Sequence, residues 1–122
     1  MRRVIFDSSF LMAVAERPTT WLEDVTTVLG KVEPVILECG KRELLMLSHG
    51  TGRKAKLARV ALKLAEGFAT EPCGGAKVDD EIVSAAVARG AAVATADEEL
   101  ASAMKALGIQ VIGLRSGRAA LV

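Results

Sequence analysis

Residues 78–100 read VDDEIVSAAVARGAAVATADEEL, a stretch rich in alanine and valine with acid at both ends: Asp79, Asp80 and Glu81 in front, Asp97, Glu98 and Glu99 behind. The first acids open a helix. Asp79 is placed to cap it, Ile82, Val83, Ala86 and Val87 recur at helical spacing as an inward face, and Gly90 supplies the stop. AAVAT, at 91–95, is then a small strand of apolar residues, and Asp97 stands just beyond it at the head of a second helix, EELASAMKAL, which ends at Gly108. A strand with no polar side has to be covered on both faces, and strands of that kind alternating with helices form a parallel sheet between two helical layers.

The rest of the chain repeats the pattern in both directions. RRVIF (2–6) is a short β-branched and aromatic run that closes at Asp7, and SSFLMAVAE (8–16) follows with serine caps and a helical apolar pattern. TTWLEDVTTVLG (19–30) carries a capping box, Thr20 with Glu23, places Trp21, Leu22, Val25, Val28 and Leu29 on its apolar side, and stops at Gly30. EPVIL (33–37) reads as a buried strand led by proline, and ECGKRELLMLSHG (38–50) as a helix opening at Glu38. RKAKLARVALKLAEGF (53–68) has Leu57, Val60, Ala61 and Leu64 on one side and a cationic stripe of Lys56, Arg59 and Lys63 on another. ATEPCGGAK (69–77) is turn-rich, with room for one short strand, and IQVIGL (109–114) is a last strand before a basic tail, RSGRAALV. The expected architecture is one α/β domain over 1–122, a three-layer α/β/α sandwich around a central parallel sheet.

Composition narrows the function classes without choosing among them. A chain of 122 residues, 51% hydrophobic and 25% charged, buries one core, and a net charge of +1 favours neither nucleic acid nor membrane as a bulk partner. Cys39 and Cys73 stand far apart with no CxxC pair and no histidine cluster, so zinc is disfavoured and two free thiols in a reducing cytosol are expected, with a single disulfide as the less favoured alternative. The opening MRRVIFDSSFLMAVAE imitates a secretory leader, but Asp7 and two serines interrupt its apolar run, which reads it as mature protein. No apolar segment reaches the roughly 18 residues of a membrane span, so a soluble, cytoplasmic protein without membrane contact is expected.

The chemistry lies in the acids at the strand ends. In open parallel sheets, ligands collect beyond the carboxyl ends of the strands, where loops and helix N-termini converge. Asp7, Glu38 and Asp97 each follow an apolar strand, and Asp79 opens a helix that begins at the same edge. Each alone is explained as a helix cap or a first-turn charge worth a few tenths to about 1 kcal/mol. Together they repel one another unless a cation lies between them, and an all-oxygen acidic site suits Mg²⁺ or Mn²⁺.

These residues resemble the PIN-domain ribonucleases. VIFDSSFLM is similar to the family's opening strand with its Asp followed by a hydroxyl residue, PVILECGKREL to its second acidic motif, VDDEIVSAA to the third and VATADEEL to the fourth, in order and across essentially the whole chain. The resemblance implies metal-binding and catalytic acids at Asp7, Glu38, Asp79 and Asp97, with Asp80 and Glu98 as substitute or outer acids, and hydroxyl support from Ser8 and Thr95. It further implies Mg²⁺ or Mn²⁺ as cofactor and hydrolysis of single-stranded RNA to a 5′-phosphate and a 3′-hydroxyl. The DD before Ile82 and the LRSGR ending look closer to the archaeal ribosomal-RNA-processing branch than to VapC-type toxins. The chain departs from many members in lacking Asn near Ser9 and Ala96, and geometry and rate are expected to suffer before metal binding does.

Lys41, Arg42, Lys56, Arg59, Lys63, Arg115 and Arg118 are the candidate RNA contacts, set against the plainer reading of helix charges as a solvated face. Candidate protein partners are an antitoxin, a ribosome-assembly protein or a second copy of the chain. His49 reads as an exposed loop residue, and Trp21 and Phe68 as core. Two competing readings remain: a PIN-fold interaction module with weak catalysis, and a phosphoryl-transfer protein built on a strand-end Asp. The second lacks the required Asp two residues after the first, where Ser9 stands.

Overall fold

A computed structural model describes residues 1–17 and 20–122; Pro18 and Thr19, at the lead-in to the capping box, lie outside the described residues. The elements run β1 (Arg2–Phe6), α1 (Ser8–Glu16), α2 (Trp21–Leu29), β2 (Val32–Leu37), α3 (Glu38–Ser48), α4 (Arg53–Leu64), β3 (Ala69–Glu71), α5 (Val78–Arg89), β4 (Ala92–Ala94), α6 (Glu98–Ala106), β5 (Val111–Arg115) and β6 (Arg118–Leu121). They form one sheet in the order β3-β2-β1-β4-β5-β6. Every pairing is parallel except β5 with β6.

The four inner strands β2, β1, β4 and β5 each carry a run buried on both faces, as their composition requires, whereas the edge strands β3 and β6 are largely exposed. Val4 and Phe6 of β1 point into a core shared with Phe10, Leu11 and Val14 of α1, Trp21 and Val25 of α2, Leu44 of α3 and Ala58 and Ala61 of α4. Ile5, between them, points the other way, into a second core with Val35, Val93 and Val111 of the sheet, Ile82 and Ala86 of α5 and Leu100 and Met104 of α6. The period-2 alternation of β1 thus separates four helices on one face from two on the other. The three-layer α/β/α sandwich follows.

Phe6 is the centre of an aromatic cluster, with ring centroids 5.6 Å from Phe10, 5.3 Å from Trp21 and 5.1 Å from Phe68. Trp21 and Phe68 are core residues, as their rarity in the sequence suggested. Pro34 is tolerated inside β2 because β3 pairs only from Val35 onward, so the missing amide interrupts no ladder bond on that side.

Several expectations need correction. The basic tail is a strand: a two-residue turn with positive φ at Ser116 (51°) and Gly117 (77°) folds Arg118–Leu121 back on β5, which makes the sheet mixed at that edge. Cys39 and Cys73, expected as free thiols, form a disulfide with a Cα separation of 6.0 Å, because the start of α3 and the loop before α5 meet at one edge of the sheet. Thr20 makes no capping bond and instead hydrogen-bonds the Asp24 carboxylate at 3.3 Å. Asp79 lies in the first turn of α5, whose N-cap is Lys77. The inward faces are narrower than the spacing suggested, since Leu22, Val28, Val60 and Val87 are exposed and α4 packs through Ala55, Ala58 and Ala61. Small residues bring that helix close to its neighbours.

Candidate active site

The sheet order reverses between β1 and β4. Successive connections move outward from β1 to β2 and β3, and the chain then returns to the far side of β1 as β4. At such a switch point the loops leaving the two strands part and open a crevice. Asp7 leaves β1 there, its amide bonded to the carbonyl of Ala94 at 2.9 Å, and Thr95 and Asp97 leave β4 beside it.

Asp7 is buried and held by two hydroxyls on one carboxylate oxygen: Ser9 Oγ donates to Oδ2 at 2.5 Å and Thr95 Oγ1 at 2.8 Å. The two hydroxyls lie 3.2 Å apart, Ser9 Oγ accepts from the Ala96 amide at 3.1 Å, and Thr95 Oγ1 accepts from the Asp97 amide at 3.1 Å. Asp97 caps α6 through Oδ1, which accepts from the amides of Glu99 at 3.0 Å and Leu100 at 3.2 Å. One oxygen of Asp7 and one of Asp97 are therefore committed to fixing the two loops, and the other of each is without a hydrogen bond among the described residues.

The electrostatics define the cluster. Burial pushes the Asp7 carboxyl above the ordinary range, the Ser9 and Thr95 hydroxyls pull it back, and the charges of Glu43 and Asp97 push it up again. Asp79 is also raised, first by desolvation and then by Asp7, Asp97, Glu43 and Asp80. Asp7, Glu43, Asp79 and Asp97 thus share a common field.

Glu38 does not join them. It is exposed on the first turn of α3 and ion-paired to Arg42 at 3.1 Å. Five residues on, the helix has turned by about 140°, from 3.6 residues per turn. Glu43 thereby faces α1, where it accepts from Ser8 Oγ at 2.5 Å. Helical spacing carries only part of that signal: Glu43 adjoins buried Leu44 and lies three residues after buried Gly40, but its own side chain is exposed. Ser9 was likewise noted only for the Asn it replaces, yet it contacts Asp7, whereas Ser8 supports Glu43.

Two clefts flank the acids. The larger, about 1060 Å³, lies among α1, α3, α4 and the start of α5 and is lined by Ser8, Ser9, Met12, Glu43, Met46 and Lys77, among others. The smaller, about 510 Å³, borders Thr95, Ala96 and Asp97 and carries Lys105 and Arg115. Of the cations proposed from sequence, Arg42 and Arg115 line these clefts. Lys41 and Lys63 are exposed outside both. Lys56 and Arg59 border a separate recess of α4, where Arg59 donates to the Ser48 carbonyl at 2.8 Å. Arg118 is bonded to the Asp24 carboxylate at 2.6 Å. Glu98 and Glu99 occupy the first turn of α6, and Glu81 accepts from the amides of Gly74 at 2.7 Å and Ala76 at 2.9 Å, fixing the loop ahead of Asp79. His49 is exposed at the end of α3.

The donors are oxygens only, which suits Mg²⁺ or Mn²⁺. Among the described residues, no three acids stand close enough to grip one ion directly. Mg²⁺ is commonly held by only one or two carboxylates and keeps several waters, so a spread, mutually repelling set fits it.

A doubly covered, mainly parallel sheet with acids gathered at its switch point defines the class of fold, and the comparisons give the family. The chain belongs to the PIN-like domain family, whose model matches residues 4–117. Among solved structures it is similar to the PIN domain endonuclease Utp24, at 27% identity and a TM-score of 0.79, over 98% of this chain and 92% of that one. A domain of a functionally unknown protein from Methanocaldococcus jannaschii DSM 2661 has the same fold at 19% identity and a TM-score of 0.62, over 95% and 93% of the two chains. A Pyrobaculum aerophilum protein matches at 19% identity and 0.55, over 83% and 78%. No curated protein matches the chain. Among the described residues, no helix is long and apolar enough to cross a membrane.

Proposed function

We propose that the protein is a divalent-metal-dependent ribonuclease that hydrolyses phosphodiester bonds of single-stranded RNA. The observation that carries this reading is the shared field of Asp7, Glu43, Asp79 and Asp97 at the switch point of the sheet, with Asp7 and Asp79 both raised by burial and by their neighbours' charge. A scaffold has no use for carboxylates that raise one another's pKa, whereas a cation site does. The similarity to the Utp24 endonuclease supports the nuclease class.

Asp7, Glu43, Asp79 and Asp97 would hold Mg²⁺ or Mn²⁺, with Asp80 and Glu98 as outer acids; Glu43 takes the part the sequence motif suggested for Glu38. A bound ion would lower the pKa of water and neutralise charge on the phosphate. The chain's own residues do the positioning. Ser9 and Thr95 fix one oxygen of Asp7 and leave the other without a hydrogen bond among the described residues, Ser8 orients Glu43, and the α6 cap holds Asp97. Lysines and arginines of the flanking clefts would bring the phosphates past the acids.

The test is cleavage of single-stranded RNA with Mn²⁺ by the parent and by Asp7→Asn and Asp79→Asn variants. Each variant should lose roughly 100-fold or more in rate, given the several kcal/mol that metal-centred charge stabilisation supplies; undiminished cleavage by either would defeat the mechanism. The competing reading, an interaction module assembled with an antitoxin, a ribosome-assembly protein or a second copy, predicts no metal-dependent cleavage even by the parent.

A further inference from the structure

The larger cleft has two characters at once. Its floor is apolar, with Met12, Met46, Leu47 and Leu57 contributed by α1, α3 and α4, and its edge carries Lys54 and Lys77. Met46 is 72% exposed, an unusual degree for a large apolar side chain, and it lies one turn along α3 from Glu43. Of the other charges of the cleft, Glu16 is paired with Arg53 at 3.1 Å and Arg42 with Glu38 at 3.1 Å, while Glu43, on the side of the acid cluster, accepts from Ser8 Oγ. Among the described residues, neither Lys54 nor Lys77 has an ion-pair partner. The cleft is also continuous with the acid cluster, since Ser8, Ser9 and Glu43 belong to both.

From this juxtaposition we infer that the cleft among α1, α3 and α4 is a nucleotide subsite, seating a base of the single-stranded substrate next to the cleavage point on Met46, Met12 and Leu57, with Lys54 and Lys77 holding the adjoining phosphates. The inference rests on the ribonuclease reading and adds to it which side of the cut is read by base contact. An apolar floor recognises the flat face of a base, and two unpaired lysines at its edge suit a polyanionic backbone rather than a neutral peptide. The smaller cleft, with Lys105 and Arg115 but no comparable apolar floor, would contact the strand on the other side through phosphates alone. Recognition is therefore asymmetric about the cut.

The experiment is fluorescence anisotropy of short homopolymeric oligoribonucleotides of uridine, cytidine and adenosine, in EDTA so that nothing is cut, over a series of salt concentrations. The proteins are the parent, Lys54→Ala/Lys77→Ala, Met46→Ala, and Arg17→Ala/Lys31→Ala as a charge-matched control outside both clefts. The first pair should weaken binding and reduce the salt slope by about 1.4, because each phosphate that a lysine neutralises on a single strand contributes ~0.7 to it. The control pair should leave the slope unchanged, and Met46→Ala should collapse the preference among the three homopolymers. Equal losses from Lys54→Ala/Lys77→Ala and the control pair, or an unchanged slope in Lys54→Ala/Lys77→Ala, would overturn the subsite. A parent dimer made monomeric by Met46→Glu with RNA affinity intact would assign the cleft to a second copy and also overturn it. RNA binding with the expected slopes but no cleavage with any divalent ion would defeat the ribonuclease reading while leaving the subsite standing.

Discussion

Ser9 Oγ donates to Asp7 Oδ2 at 2.5 Å and accepts from the Ala96 amide at 3.1 Å, so one hydroxyl links the loop leaving β1 to the loop leaving β4 across 87 residues of sequence. A hydroxyl that both orients a carboxylate and fixes the opposite loop is worth more to the site than its one bond to Asp7.

Ser9→Ala should therefore weaken Mn²⁺ binding by about 10- to 100-fold, the usual cost of removing an outer partner of a metal ligand. Thr95→Val should act in the same direction, since Thr95 bonds the same oxygen. Isothermal titration checks both, and wild-type affinity in Ser9→Ala would mean that Thr95 alone suffices.

The two glutamates of α3 separate cleanly. Glu43→Gln should reduce Mn²⁺ affinity roughly tenfold or more, whereas Glu38→Gln, which removes only an exposed pair with Arg42, should leave affinity unchanged and shift stability by no more than about 0.5 kcal/mol. The reverse ranking in the titration would return the second acid to Glu38.

Asp24 is held below the ordinary carboxylate range, chiefly by its hydrogen bond to Arg118 and against the opposing effect of burial. A carboxyl depressed in the folded state contributes stability that is present above its unfolded pKa of about 3.9 and is lost as pH falls through the folded value. Thermal midpoints of the parent should therefore fall more steeply below about pH 4 than those of Asp24→Asn, which should be the less stable protein at pH 7. Parallel pH profiles would remove the pair from the stability account.

Reduction of the Cys39–Cys73 bond releases a link across 34 positions. The chain-entropy relation sets an upper limit of about 4 kcal/mol on the lost stability. Thermal midpoints with and without a reductant, and with Cys73→Ser, measure it. An unchanged midpoint would mean that Glu81, bonded to the amides of Gly74 and Ala76, holds the loop unaided.

The architecture was legible because the strand signals are unambiguous. Apolar runs at 4–6, 91–94 and 111–114 leave only a doubly covered sheet, and even the short β3 was anticipated within a turn-rich segment. What escaped depended on relations that are not local. RSGRAALV has the composition of a tail, and only its pairing with β5 and the Arg118–Asp24 contact make it a strand. The cysteines gave no spacing signal, because the bond joins the start of α3 to the loop before α5, brought together by the crossover from β2 to β3. Asp7 and Asp97 were readable at strand ends, but Glu43 is set by the rotation of α3 against α1, which becomes plain once Leu44 is known to be buried. Val87 and Val60 failed for the same reason in reverse: helical periodicity gives a face but not its width.

The contact of β6 with α2 bears on how the chain is made. Asp24, in the second helix, is buried at 6% exposure and is bonded by the Arg118 side chain at 2.6 Å and the Ala119 amide at 3.3 Å. A nascent polypeptide emerging from the ribosome presents α2 long before residues 118–121 arrive, and until then it carries a carboxylate that its own core cannot accept. The order of synthesis thus delays closure of the α2 face to the last strand, and the fold completes there rather than at the edge that carries Asp7 and Asp97.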